Sequence, residues 1–181
     1  MSDYGIYDDI FAEKKSYNTG RGEDYKFLFT LGWVDNNNIS EILDVGCGRG
    51  NYVELLTKND VRVTAFDPSR YLTQVVKGFD IINDDIMSFA AKTDRKWPAL
   101  ICMDVLEHID PVLIEKNVRA LTSLSDRSLI GIANSEEVWK GVPLHLIRRS
   151  QPWWQDLLSR HYHNVKCLYR TPSYFIFEAI S

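Results

Sequence analysis

Ile42-Leu43-Asp44-Val45-Gly46-Cys47-Gly48-Arg49-Gly50 is the stretch that decides the fold of this chain. A short apolar strand runs into three glycines at alternate positions, and a helical stripe of Tyr52, Leu55 and Leu56 follows. Glycines permit positive φ and close approach of the backbone, and the start of a helix offers unpaired N–H groups to an anion. A carboxylate suits such a turn and so does a phosphate, so glycine count alone leaves the ligand open. The spacing narrows it. A dinucleotide fingerprint, G-x-G-x-x-G, needs a glycine at position 51, where Asn51 stands, and the pattern here is G-x-G-x-G.

Strand and helix patterns alternate outward from this turn. Val61 to Phe66 reads as a second strand with a helix over 69–78, and Phe79 to Ile82 as a short third strand. Ala99 to Met103 is a near-continuous apolar run, as expected of a strand buried on both faces. Asp110-Pro111 supplies an N-cap and a first-turn proline for a helix whose inner face carries Ile114, Val118 and Leu121. Ser128 to Ala133 is the fifth strand, and Pro152 opens a helix with Trp154, Leu157 and Leu158 inward. Strands over 164–169 and 174–179, joined by Thr171-Pro172-Ser173, make a hairpin.

Alternation over five strands implies parallel pairing with right-handed crossovers. The expected fold is therefore α/β, a doubly wound and mostly parallel seven-stranded sheet with an antiparallel C-terminal hairpin. One domain is expected over 1–181. Within it, 1–35 forms a helical lid, with Tyr7, Ile10 and Phe11 at helical spacing and a turn-prone Asn18-Thr19-Gly20-Arg21-Gly22. A second stripe, Tyr25, Leu28 and Phe29, ends near Gly32. Residues 40–135 form the ligand-binding core, and 136–181 the substrate-side segment and closing strands.

Composition agrees with an ordinary globular protein: 181 residues, 45% apolar and 25% charged, with a formal charge of −4 that advertises no polyanion partner. Cys47, Cys102 and Cys167 are too dispersed for a zinc site or a disulfide framework, so no metal is expected and the chain reads as cytoplasmic. No apolar run reaches the ~18–20 residues needed to cross a bilayer, and Met1-Ser2-Asp3-Tyr4 lacks the basic head of a signal peptide.

Four motifs in order then carry a resemblance. Residues 42–50 resemble the first motif of the class I S-adenosylmethionine-dependent methyltransferases, Phe66-Asp67 the second, Asp84-Asp85-Ile86 the third and residues 102–109 the fourth. The resemblance implies a Rossmann-like methyltransferase fold and S-adenosylmethionine as cofactor. It places Asp44, Gly46, Cys47, Gly48 and Gly50 at the methionine end, Asp67 with Pro68 at the ribose, and Asp85 at the adenine amine. Asp84, Ile86 and Met103 join the same set, although Asp84 by itself reads first as a solvated helix cap, and Cys47 reads as a small packing residue and not a nucleophile.

The acceptor is less legible. A hydroxyl acceptor needs a general base, and His145 in the connection after the fifth strand is the leading candidate, with His108 after the fourth strand as second. Arg148 and Arg149 can grip a carboxylate or phosphate, or form a solvated helix entry. Trp153 and Trp154 cannot both face inward, so one forms core and the other, taken as Trp153, an apolar wall. Tyr7 is expected to close over the acceptor. The expected activity is methyl transfer to a hydroxyl of a small-molecule or glycan-type acceptor. A cofactor-binding regulatory module without turnover and a nicotinamide-dependent oxidoreductase are the rivals. Nucleic acid is not favoured: Met103-Asp104-Val105-Leu106 replaces the Pro-Pro-aromatic signature of amino-methylating enzymes, and no cysteine follows a proline. Oligomeric state and acceptor atom are left open.

Overall fold

The computed structural model describes residues 5–19 and 24–181, so the first four residues and the glycines at 20 and 22 lie outside the described residues. The chain divides into two compact units, one ending at Asp85 and one running from Ile86 to Ser181.

The first unit begins with helices α1 (Gly5–Glu13) and α2 (Asp24–Asn36). Ile10 and Phe11 are buried from α1, as the helical spacing of Tyr7, Ile10 and Phe11 requires. The second helix runs past Gly32 to Asn36, because one glycine in a helix costs only about 1 kcal/mol. Strand β1 (Glu41–Val45) then pairs in parallel with β2 (Arg62–Asp67) across α3 (Asn51–Thr57). Under the glycine turn, Cys47, Val53 and Ala65 form a small core against Val63, Phe79 and Ile81. Helix α4 is shorter than the expected 69–78 and spans Arg70–Val75, with Ser69 as N-cap and Val76 already extended. The third strand is also displaced. β3 covers only Ile82–Asn83, opposite Phe66 and Asp67, while Phe79 turns its ring inward instead of pairing.

In the second unit, α5 (Ile86–Ala91) is a helix with no counterpart in the sequence reading. Strand β4 (Leu100–Met103) is buried throughout and pairs in parallel with β5 (Arg127–Ala133). The helix between them, α6 (Ile114–Leu124), starts later than Asp110-Pro111 suggests. Asp110 caps a preceding turn instead, its carboxylate accepting the Val112 N–H at 2.8 Å and its carbonyl that of Leu113 at 2.8 Å. A small hairpin, β6 (Val138–Trp139) with β7 (Val142–Pro143), turns through Lys140 and Gly141, both at positive φ. Helix α7 (Gln151–Ser159) buries Trp154, Leu157 and Leu158, and β8 (Asn164–Arg170) and β9 (Tyr174–Ile180) pair antiparallel as expected.

Among the described residues, seven strands form one sheet in the order β3-β2-β1-β4-β5-β9-β8, mostly parallel with the antiparallel hairpin at its end. No helix among the described residues is long and apolar enough to cross a membrane.

Candidate functional site

Two groups of side chains stand out, one in each unit. In the first unit the turn after β1 places Gly46, Gly48 and Gly50 at φ of 68, 55 and 79°. These left-handed values explain three glycines in five residues, since a Cβ is disfavoured there. The Phe66 carbonyl accepts the N–H groups of both Gly46 and Cys47, at 2.9 and 3.1 Å. Asp67, the last residue of β2, then takes the Gly48 N–H on Oδ2 and the Ser69 N–H on Oδ1, both at 2.9 Å. Each oxygen retains a lone pair for a further donor.

Burial raises the Asp67 carboxyl to about 6, partly offset by the Ser69 and Gly48 N–H groups. Asp44 is pushed further, to about 8, by burial and then by the nearby Asp67 charge. Its Oδ2 is buried with no hydrogen-bond partner. Burial, Asp44 and Asp67 together drive the Cys47 thiol well above its ordinary range, which suits a packing residue and not a nucleophile. Two buried carboxylates with an orphaned oxygen call for a cation. S-adenosylmethionine brings an ammonium and a sulfonium, so the residues present fit it, whereas a dinucleotide pyrophosphate would meet like charge.

Asn83 braces this corner by donating to the carbonyls of Asp67 at 3.2 Å and Pro68 at 2.9 Å. The Asp84 N–H reaches the Asp67 carbonyl at 3.2 Å and the Asp85 N–H reaches Asp84 Oδ1 at 3.2 Å, leaving both acidic residues half-buried beside the turn. The N-terminal segment is tied to the same place. Arg49 donates to the carbonyls of Tyr17 at 2.8 Å and Phe11 at 2.9 Å, and Asp8 Oδ1 accepts from Ser69 Oγ at 2.6 Å and the Tyr71 N–H at 2.9 Å. Asp8 and Asn83 are contacts the sequence reading missed; pairs so far apart in the chain leave no local pattern. Tyr7, half-buried, sits on α1 beside Asp8.

The second unit gathers Glu107, His108 and His145, one donor atom from each lying within 4.8 Å of the others. Glu107 and His108 lie in a 3-10 turn, Leu106–His108, after β4, and His145 follows the small hairpin. The backbone joins them. The Glu107 carbonyl accepts the N–H groups of Leu146 at 2.8 Å and Ile147 at 3.0 Å, and His108 Nδ1 meets the Leu144 carbonyl at 3.1 Å. The His145 ring stands edge-on to that of His108, its Nδ1 2.7 Å from the Ser135 carbonyl and its Nε2 3.3 Å from Glu137 Oε2. Glu107 Oε1 accepts the Ala133 N–H at 2.6 Å, and Oε2 is buried with no hydrogen-bond partner.

Burial and the neighbouring His145 charge lower the His108 pKa to about 4, so it is neutral near pH 7. For His145, burial pulls the pKa down, but the Glu137 and Ser135 acceptors and the Glu107 charge outweigh it and raise it. Glu107 lies well above the usual carboxylate range because it is buried and faces Asp104. The surroundings of the Glu107 side chain show only once Ala133 and His145 are near it.

The remaining expected residues spread out. Arg148 is exposed and lies 3.6 Å from Glu136, and Arg149 is exposed. Trp154 is fully buried and Trp153 half-buried against it, which separates the pair as helical geometry demands. Ile86 is the buried first residue of α5, and Met103 ends β4 with its thioether against Gly131.

A methyltransferase-domain family model matches residues 21–172. Among curated relatives, a ubiquinone biosynthesis O-methyltransferase of Klebsiella pneumoniae (strain 342) is 27% identical over 57% of this chain and 51% of its own. A protein of the same name from Xanthomonas campestris pv. campestris (strain B100) is 32% identical over 47% of this chain and 38% of its own. The matches thus span about half the length of these relatives, or less. The fold is shared with the solved DhpI complex with S-adenosylhomocysteine, at a TM-score of 0.75 and 13% identity over 96% of this chain and 92% of that one. It is shared also with magnesium protoporphyrin IX methyltransferase of Synechocystis PCC 6803, at a TM-score of 0.72 and 16% identity over 99% of each chain. With four motifs in order, an acidic glycine-loop corner and a family model over most of its length, the chain belongs to the class I S-adenosylmethionine-dependent methyltransferases, and S-adenosylmethionine is its cofactor.

Proposed function

We propose that this chain transfers the methyl group of S-adenosylmethionine to a hydroxyl of a small organic molecule. The observation that carries the reading is the Glu107, His108 and His145 cluster, an assembly of proton-handling groups that an oxygen acceptor needs and a mere cofactor-binding module does not. The O-methyltransferase names of the curated relatives support the same acceptor atom.

In this reading the cofactor supplies an electrophilic methyl group and the protein positions and deprotonates its partner. The Gly46–Gly50 turn and Asp44 hold the methionine end, where the partnerless Asp44 Oδ2 receives the ammonium. Asp67 takes the ribose hydroxyls on its remaining lone pairs, with Pro68 beside it, and Asp85 the adenine amine, with Asp84 flanking. His145 and His108 activate the acceptor hydroxyl. Arg148 and Arg149 attract an anionic acceptor, and Tyr7 and Trp153 offer it aromatic surface. Three free cysteines suit a reducing compartment, and we place the chain in the cytoplasm.

The test is turnover of an acceptor panel containing phenols, hydroxylated ring acids, amines and glycans, read by mass spectrometry. Methylated phenol or hydroxy-acid product supports the reading, and a glycan product would move the acceptor to the larger class. Product from amines alone overturns the hydroxyl assignment. Tight binding of S-adenosylhomocysteine with no product from any acceptor would make the chain a regulatory module.

A further inference from the structure

We propose that Glu107, His108 and His145 bind a divalent first-row transition-metal cation, with Glu137 beside His145. Donor atoms of the three residues already converge within 4.8 Å. Ligands about 2.0–2.2 Å from one ion lie at most roughly 4.4 Å apart, so closure needs only side-chain adjustment.

Both imidazoles are oriented as metal-bound imidazoles are. Each places Nδ1 on a backbone carbonyl, Leu144 at 3.1 Å for His108 and Ser135 at 2.7 Å for His145. For His108 this leaves the lone pair on Nε2, and His145, whose Nε2 donates to Glu137 Oε2 at 3.3 Å, would release that proton as the ion binds. The carboxylate is prepared in the same way. Glu107 Oε1 is fixed by the Ala133 N–H, and Oε2 is fully buried without a hydrogen-bond partner, an arrangement that is unfavourable unless something positive meets it. The loop carrying His145 is fastened to the turn carrying the other two ligands by the paired N–H groups of Leu146 and Ile147 on the Glu107 carbonyl. Backbone contacts therefore set the geometry. Two nitrogens with one or two carboxylate oxygens favour Mn²⁺, Fe²⁺ or Zn²⁺ over Mg²⁺ and Ca²⁺.

What the cation does rests on the proposed O-methyl transfer; that it binds does not. An acceptor hydroxyl would enter as a further ligand and become more acidic there. Its proton passes to the Glu137 carboxylate and its electron pair forms the new bond to the methyl carbon. The methyl–sulfur bond breaks with its pair left on sulfur as a thioether. The histidines then act as ligands and not as the base.

The experiment is titration of the EDTA-treated full chain with Mn²⁺, followed by electron paramagnetic resonance, and with Zn²⁺ by calorimetry. One ion per chain is expected, with binding weakened at least about tenfold in both Glu107→Gln and His145→Asn. Affinity for S-adenosylhomocysteine checks that each variant is folded. A wild-type chain that takes up neither ion stoichiometrically overturns the proposal, as do variants that bind like wild type. Bound ion without methylated product sinks the acceptor reading and leaves the site standing. Methylation that survives EDTA with no ion bound does the reverse.

Discussion

Asp67 Oδ2 holds the Gly48 N–H at 2.9 Å, so the carboxylate that closes β2 also fixes the glycine turn that leaves β1. Read from sequence, Asp67 serves only the ribose. In the fold it serves the turn first, and the proposed ribose contact would share the same carboxylate.

Asp67→Asn should therefore do two things. It replaces one acceptor by a donor facing an N–H group, and hydrogen bonds to a charged partner contribute roughly 1.5–3 kcal/mol. Affinity for S-adenosylhomocysteine should fall about ten- to a hundredfold in calorimetry, and the melting temperature should drop as well. A variant with unchanged melting temperature and weaker binding would confine Asp67 to the ligand.

Gly50→Ala tests the turn directly. An added Cβ would lie 1.7 Å from Phe79 Cζ, at a φ of +79°. Overpacking costs about 1–3 kcal/mol and a left-handed alanine roughly 1–2 kcal/mol more. Urea denaturation should show a loss in that range, and Phe79→Leu in the same chain should recover only the packing part.

Asp8→Ala removes the acceptor shared by Ser69 Oγ and the Tyr71 N–H. Because Asp8 is only half-buried, the loss should be nearer 1–2 kcal/mol, at the low end for bonds to a charged group. It should be local: amide exchange should quicken across Gly5–Glu13, and trypsin should cut sooner at Lys14 and Lys15, while the strands keep their protection. Uniformly faster exchange would contradict this.

The buried carboxyls predict a pH dependence. Asp44 and Glu107 have folded pKa values raised above their ordinary ones, so the folded state holds protons that the unfolded state has released. Ligand-free stability should decline as pH rises towards about 8, the value for Asp44. His108 acts oppositely: its pKa is lowered to about 4, so its own contribution is lost from about pH 6.5 down to 4. Where the windows overlap the two carboxyls outweigh the one histidine, so ligand-free thermal melts should fall as pH rises to about 8, more gently below about 6.5. Binding of a cationic ligand should ionise Asp44, so affinity for S-adenosylhomocysteine should rise between about pH 6 and 8 with proton release. Calorimetry in buffers of different ionisation enthalpy would show that release, and its absence would remove Asp44 from the ammonium.

On the acceptor side, His145→Ala should lower kcat by about 10²–10⁴-fold with S-adenosylhomocysteine affinity retained. Arg149→Ala should instead raise KM for an anionic acceptor and spare kcat. Full activity in both would shift attention to Glu107.

The sequence by itself determined the sheet and the glycine turn. Periodicity placed the apolar runs of β1, β4 and β5, and the three glycines of the turn are needed for a local reason, their positive φ. Such signals live within a few neighbouring residues, where steric rules act directly. Elements fixed by competition were less legible. Phe79 has strand character, yet it fills the space beside Gly50 and leaves β3 two residues long. Asp110 has N-cap chemistry, but it caps its own turn and α6 begins at Ile114. Only the tertiary structure decided where the His145 and Glu107 side chains stand. Their partners, the Ser135 carbonyl, Glu137 and the Ala133 N–H, meet through chain reversals after β4 and β5. A buried oxygen without a partner is a property of three-dimensional surroundings, and no spacing in the chain encodes it.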